Sequence, residues 1–256
     1  RTVGETMLCI NQNIVGNRFA KCAVETALLD AMGHRLGVPV SELLGSRTTD
    51  RIPVAWVLAS GDINTDIAEA EEKISNEQHN SFKVKIGRRS VSEDVAHVAA
   101  IKQAIGDSGS VRVDINQSWT RSQANNGIAM LADAGIDLIE QPIAYDDISG
   151  ATQLVQQARV PIMADESLRG PKTAFEISKA IAADVFSIKI AQSGGLYEAQ
   201  QVASIATASG IALYGGTMLE SSIGTIASVH LFSTFNQLEW GTELFAPLLL
   251  QEQFIN

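Results

Sequence analysis

Val111-Arg112-Val113-Asp114-Ile115-Asn116, then Leu138-Ile139-Glu140-Gln141-Pro142, then Pro161-Ile162-Met163-Ala164-Asp165-Glu166-Ser167: these three stretches decide the fold. Each is short, mainly apolar and closed by acidic or amide residues, which reads as a buried strand with a polar end. The pattern continues outward in both directions. Ile52–Ala59 and Phe82–Gly87 precede it, and Val185–Ala191, Ile211–Gly216 and Leu238–Leu244 follow. The runs begin at residues 52, 82, 111, 138, 161, 185, 211 and 238, so one unit recurs about every 27 residues.

Amphipathic helical stretches fill most of the gaps. Ser92–Ile105 places Val95, Val98, Ala99 and Ile101 among polar residues and opens on Glu93 and Asp94, which suit a helix N-terminus. Pro171–Ala182 opens on a proline in its first turn, and Tyr197–Ser209 and Ser221–Phe232 follow the same pattern. Alternating strand and helix means a parallel sheet with crossover helices. Eight strands predict an α/β protein of the (β/α)8 type, a TIM barrel. Residues 1–46 do not share the repeat. Asn17–Gly33 reads as a helix, and a shorter one follows Pro39 and ends at Gly45. These residues are expected to be the C-terminal helices of a mostly missing capping domain, with the barrel over residues 47–256. A chain that opens on Arg1 is expected to be part of a longer protein.

Composition narrows the function. The 256 residues are 45% hydrophobic and 19% charged, ordinary for a globular protein. The 19 Lys and Arg against 29 Asp and Glu leave a net charge of −10, which argues against a nucleic-acid surface. No apolar run suits a membrane span and no signal segment opens the chain. Two cysteines, Cys9 and Cys22, do not make a disulfide scaffold, so a reducing cytoplasm is expected.

Active sites of such barrels lie at the carboxyl ends of the strands. Charged residues stand there in six of the eight runs: Lys83 and Lys85, Asp114, Glu140, Asp165, Lys189 and Glu243. One charge at a strand end is commonly an ordinary surface group. Recurrence at matching depth is what points to a site, because a charge inside an apolar strand is costly without a partner. Lys83 and Lys85 alternate and so point the same way. By strand order they face Lys189 across the barrel. Asp114, Glu140 and Asp165 come from three successive strands. Gathered together they repel, which a divalent cation would relieve, and all-oxygen ligation suits Mn2+ or Mg2+. Zinc would call for His or Cys. Yet His97 and His230 fall inside helices, and His34 and His79 at helix ends or loops, where packing or surface roles are expected. A lysine near another cation can exchange protons near neutrality. A metal beside lysines suits proton transfer at the carbon next to a carboxylate.

The ordered set resembles the enolase superfamily, and more narrowly its muconate lactonising subgroup. The wording is nearest the bacterial muconate and chloromuconate cycloisomerases. The stretches that carry the resemblance are Ala23–Asp30, Phe82–Gly87, Asp137–Pro142, Pro161–Ser167, Tyr214–Glu220 and Thr242–Leu250. The resemblance implies that Asp114, Glu140 and Asp165 hold the metal. It implies that Lys85 exchanges the proton, that Lys83 helps polarise the substrate carboxylate, and that Lys189 on the opposite face stabilises charge. Glu243 matches a carboxylate given a proton-donor role, and Asn116 and Glu166 would support the ligands. Related dipeptide epimerases carry a paired-Asp pattern that is missing here. The implied reaction is cycloisomerisation of cis,cis-muconate or a chloromuconate to muconolactone through an enediolate, in catechol breakdown. The implied partners are a small dicarboxylate and further copies of the chain. The alternatives are a racemase, epimerase or o-succinylbenzoate-type synthase with the same intermediate, or an inactive fragment or binding module that retains the metal site. The first strands and lid loop of the capping domain, and a C-terminal tail, are expected elements that these residues do not contain.

Overall fold

The computed structural model describes residues 2–250; Arg1 and residues 251–256, the end of the expected barrel domain, lie outside the described residues. Helices α1 (Val3–Asn13), α2 (Arg18–Leu36) and α3 (Val40–Leu43) come first. Strand and helix then alternate: β1 (Trp56–Leu58), α4 (Ile63–Ser75), β2 (Ser81–Lys85), α5 (Val91–Ile105), β3 (Ser110–Asp114) and α6 (Arg121–Asp133). They continue with β4 (Leu138–Glu140), α7 (Ile148–Gln157), β5 (Ile162–Ala164), α8 (Pro171–Ala180) and β6 (Val185–Ile188). The short α9 (Ile190–Ser193), then α10 (Leu196–Ala208), β7 (Ala212–Gly215) and α11 (Ser222–Phe232) follow. Strand order follows the chain from β1 to β6, and the pairings from β1–β2 to β5–β6 are parallel.

The chain forms two compact units. One, the strand unit, holds Val54–Ser167 and Glu176–Phe186. The other, the flanking unit, holds, of the described residues, 2–53, Leu168–Phe175 and 187–250.

In the strand unit, alternation sorts the side chains into two faces. Phe82, Val84, Val111, Val113 and Ile139 fall on one face and are fully buried. Val98 and Ile101 of α5 and Leu131 of α6 are buried too, each contributing about 1.5–3 kcal/mol. Capping boxes start α5 at Ser90 with Glu93 and α6 at Thr120 with Gln123, so the acidic opening read in the sequence does begin α5. The other face carries Lys83, Lys85, Arg112, Asp114 and Glu140, aligned by the register Lys83↔Arg112, Lys85↔Asp114 and Asp114↔Glu140.

At the amino ends of the strands one device recurs. An acidic side chain ahead of the next extended stretch accepts an N–H from the first or second residue of the preceding strand. Val111 donates to Asp137 Oδ2 at 2.8 Å and Ile162 to Asp184 Oδ2 at 2.9 Å. In the flanking unit Leu213 donates to Glu239 Oε2 at 3.0 Å.

The flanking unit is helical around β7. Glu25 of α2 is buried and accepts the Tyr197 N–H in the first turn of α10. Burial pushes its carboxyl above the ordinary value, although the main-chain bonds pull the other way.

Three features depart from the sequence reading. The eighth run yields no strand among the described residues, only a parallel bridge between Thr242 and Gly215. Gly241, at φ 67°, turns the chain just before it, so extended backbone lasts too briefly for a ladder. The run Val185–Ala191 ends early, because Ile190 and Ala191 open α9. Helix α1 was not anticipated; a Thr2–Glu5 capping box starts it.

Candidate active site

The carboxyl ends of β2 to β5 gather the charged residues of the strand unit. Lys83 is 2% exposed, with Nζ 2.5 Å from Glu140 Oε2 and 3.6 Å from Asp114 Oδ2. Lys85, one pleat further, donates from Nζ to Asp114 Oδ2 at 2.9 Å and to Asn116 Oδ1 at 3.2 Å. Its side chain is 49% exposed, so this ammonium reaches solvent while Lys83 does not. Burial alone would raise the Asp114 carboxyl, but the Lys83 and Lys85 ammonium groups hold it below the ordinary range.

The loops after these strands bend sharply. Asp114 Oδ1 accepts the Asn116 N–H at 3.0 Å, a side-chain-to-backbone turn that swings the chain off the strand. Asn116 and Gln117 then take φ values of 46° and 65°, a region that costs a non-glycine residue energy. Gly87, after β2, has φ 99°, and a Cβ there would lie 2.8 Å from Ser118 Cβ and 2.9 Å from Ile115 O. Only glycine lets those two loops pack. Asn116 Nδ2 donates to Glu166 Oε1 at 3.1 Å. Burial first, then the charge of Asp165, pushes the Glu166 carboxyl up.

Asp165 follows β5 directly and is 3% exposed. The pairing Glu140↔Met163 places it, by alternation, on the face of Glu140. Asp114, Glu140 and Asp165 are therefore three buried carboxylates on one face at neighbouring strand ends. Among the described residues, no three His, Cys, Asp or Glu side chains stand close enough to hold a metal ion as they lie. The three acids thus do not form a closed cage here, and the Lys83 ammonium lies between two of them. Their chemistry nonetheless fits a hard divalent cation, which prefers hard oxygen donors such as these three carboxylates on adjacent strands.

Arg112 escaped the sequence reading. It is 5% exposed and donates to Ser81 Oγ, one layer below Asp114. The signal was available, since Arg112 alternates with Asp114 and shares its face. Gln141 also escaped the sequence reading.

The flanking unit holds the remaining residues. Lys189, 7% exposed, caps the start of α9. A Cβ on Gly216 would lie 2.7 Å from Lys189 Cε and 2.5 Å from Ser187 Oγ, so the bare glycine leaves the channel for the lysine stem. Glu243, 4% exposed, accepts the Thr217 N–H at 3.2 Å. The Gly216-Thr217 turn thus has the lysine on one residue and the glutamate on the next.

The histidines are engaged elsewhere, as expected. His97 bonds Asp66 Oδ2 and Arg89, each at 2.9 Å. His79 bonds Val54 O, and His230 accepts from Ser41. His34 lies exposed beside Asp30.

Residues 66–256 match the family described as "Enolase C-terminal domain-like", and residues 1–45 match "Mandelate racemase / muconate lactonizing enzyme, N-terminal domain". The chain belongs to the mandelate racemase and muconate lactonizing enzyme family of the enolase superfamily. Among relatives in that family, it is 54% identical over 253 residues to muconate cycloisomerase 1 of Acinetobacter baylyi, covering 99% of this chain and 68% of the relative. It is 56% identical over 252 residues to muconate cycloisomerase 1-2 of Acinetobacter lwoffii, covering 98% and 66%. The crystal structure of muconate lactonizing enzyme from Pseudomonas fluorescens complexed with muconolactone superposes with a TM-score of 0.97 at 53% identity, covering 98% of this chain and 68% of that one. The chain spans about two thirds of the length of these relatives. The α/β class and superfamily fold read from the sequence are those of the family. Among the described residues no helix is long and apolar enough to cross a membrane.

Proposed function

We propose that this protein is a divalent-metal-dependent cycloisomerase that closes cis,cis-muconate, or a chloromuconate, to the corresponding muconolactone in the breakdown of catechol-type aromatics. The observation that carries the reading is the pair Lys83 and Lys85 beside Asp114 and Glu140, in register on one face of adjacent strands. Its kinship with muconate cycloisomerases supports it.

A divalent cation, Mn2+ or Mg2+, held by Asp114, Glu140 and Asp165 would stabilise the negative charge that develops on a substrate carboxylate. The protein's own groups do the rest. One carboxylate oxygen of the diacid bonds to the distant alkene carbon, and the displaced π electrons move toward the other carboxylate. Lys85 passes a proton from Nζ to the carbon next to that carboxylate, so the lactone carries one proton more than the dianion. In reverse the same amine removes it. Lys85 suits the task because its ammonium is half-exposed yet held by Asp114 and Asn116. Lys83, buried against Glu140, polarises the carboxylate. The reading gives Lys189 charge stabilisation and Glu243 a proton-donor role. Residues 1–46 are the closing helices of a capping domain and residues 47–256 the catalytic barrel. A cytoplasmic, homo-oligomeric enzyme belongs to the same reading.

The test is loss of the diene absorbance of muconate and chloromuconates on adding Mn2+ or Mg2+, run in deuterium oxide. Metal-dependent lactone with deuterium at the carbon next to the carboxylate is expected. Metal-independent turnover, or racemisation of other carboxylate substrates without lactone formation, overturns the assignment.

A further inference from the structure

Gln141 follows Glu140 directly, and its side chain is 5% exposed. The amide is used at both ends. Oε1 accepts the Asp165 N–H at 3.0 Å, the Ser167 N–H at 3.2 Å and the Ser167 hydroxyl at 2.9 Å. Nε2 donates to Ile143 O at 3.0 Å. The main chain is tied as well, with Gln141 N–H donating to Met163 O at 2.9 Å and Gln117 N–H donating to Gln141 O at 2.8 Å. The residue sits at φ 35°, a conformation that a non-glycine side chain holds only where surrounding contacts enforce it. The Asp165–Ser167 turn thus wraps around one amide oxygen carried by the neighbour of Glu140.

Other side chains do not replace this amide. Asn is one methylene shorter and Leu accepts nothing. Glu would set a carboxylate oxygen against Ile143 O and add a fourth negative charge beside Asp114, Glu140 and Asp165. A hydrogen-bond partner behind a ligand fixes the direction in which it points, and losing one commonly weakens metal binding about 10–100-fold.

We propose that Gln141 is a positioning residue that sets the spacing of Glu140 and Asp165 for divalent-cation binding. The inference rests on the ligand assignment made under the proposed function. The backbone of Asp165 is held by the residue that immediately follows Glu140, so the two carboxylates move as one piece. Ser167 completes the clamp through both its N–H and its hydroxyl.

The test is a Mn2+ titration followed by electron paramagnetic resonance, which reads binding without turnover. Gln141→Leu is expected to weaken Mn2+ binding about 10–100-fold, and Ser167→Ala, which removes one of three bonds, by less. Asp137→Ala, at the opposite ends of the strands, should lower the melting temperature and leave Mn2+ affinity unchanged. A folded Gln141→Leu variant with wild-type Mn2+ affinity overturns the proposal. Should Gln141→Leu fail to fold, Ser167→Ala decides: weaker Mn2+ binding at an unchanged melting temperature supports the clamp, and unchanged binding overturns it. Asp165→Asn separates the two levels of inference. If it too leaves Mn2+ affinity untouched, the ligand assignment has failed. If it abolishes binding while Gln141→Leu does not weaken it, only the role of Gln141 has.

Discussion

Carboxylates stand at both ends of the strands in the strand unit, and the two sets meet different partners. At the amino ends, Asp137 and Asp184 accept main-chain N–H groups of the neighbouring strand. At the carboxyl ends, Asp114 and Glu140 meet the Lys83 and Lys85 ammonium groups. A carboxylate bonded to the backbone locks register. A carboxylate facing ammonium groups and other carboxylates is held by ion pairs, which a cation or a charged substrate can exchange with. The residue types alone do not separate these roles; the end of the strand does.

The comparison can be broken most sharply at Lys85. Lys85→Ala should lower kcat by about 10²–10⁴-fold and abolish deuterium incorporation. Its half-exposed side chain makes a large stability loss unexpected, so the melting temperature should stay close to wild type. Wild-type isotope exchange in the variant would remove Lys85 as the proton carrier.

Glu140→Leu attacks the same end through its buried ion pair. Lys83 would lose its 2.5 Å partner in a setting where it is 2% exposed. Removing one member of such a pair costs about 3–5 kcal/mol. Urea denaturation measures the loss, and Mn2+ affinity should fall with it. A variant as stable as wild type would mean that Lys83 is well satisfied without Glu140.

Asp137→Ala tests the other end. Val111 is fully buried, so its N–H would be left without the Asp137 oxygen. A loss of about 1–3 kcal/mol is expected, with kcat and Mn2+ affinity intact. A drop in metal affinity would show that the two ends are not independent.

The smallest effect is a pH dependence at Asp184. Burial raises its carboxyl above the ordinary value of 3.8, with the Ile162 N–H pulling it down. The folded state therefore holds this proton more tightly than the unfolded state. Stability from this group is highest at low pH, declines as pH rises from about 3.8 through the raised folded value, and is flat above it. Asp184→Asn keeps an acceptor for Ile162 and should remove that part of the slope in melting temperature against pH. An unchanged slope would assign it to other groups.

Much of the site was legible because strand alternation and strand-end position are properties of the sequence. Lys83, Lys85, Asp114 and Glu140 needed only a period of two and a count of strands. Gln141 was not legible, because its role depends on the turn at Asp165–Ser167, which comes back to it from another strand. Arg112 was overlooked beside a more conspicuous Asp114. That the eighth run forms no strand among the described residues followed from Gly241, whose positive φ no apolar pattern announces.

The sequence by itself determined the alternation of strands and helices, the parallel order and the face that Lys83, Lys85, Asp114 and Glu140 occupy. These follow from local periodicity, which a residue's near neighbours set. Only the tertiary structure decided which partners those charges meet. It buried Lys83 against Glu140 while leaving Lys85 half-exposed, and it gave the Asp165 backbone to the Gln141 amide. Such pairings depend on register and on loop conformations at positive φ, where distant segments compete for the same hydrogen-bond donors and acceptors.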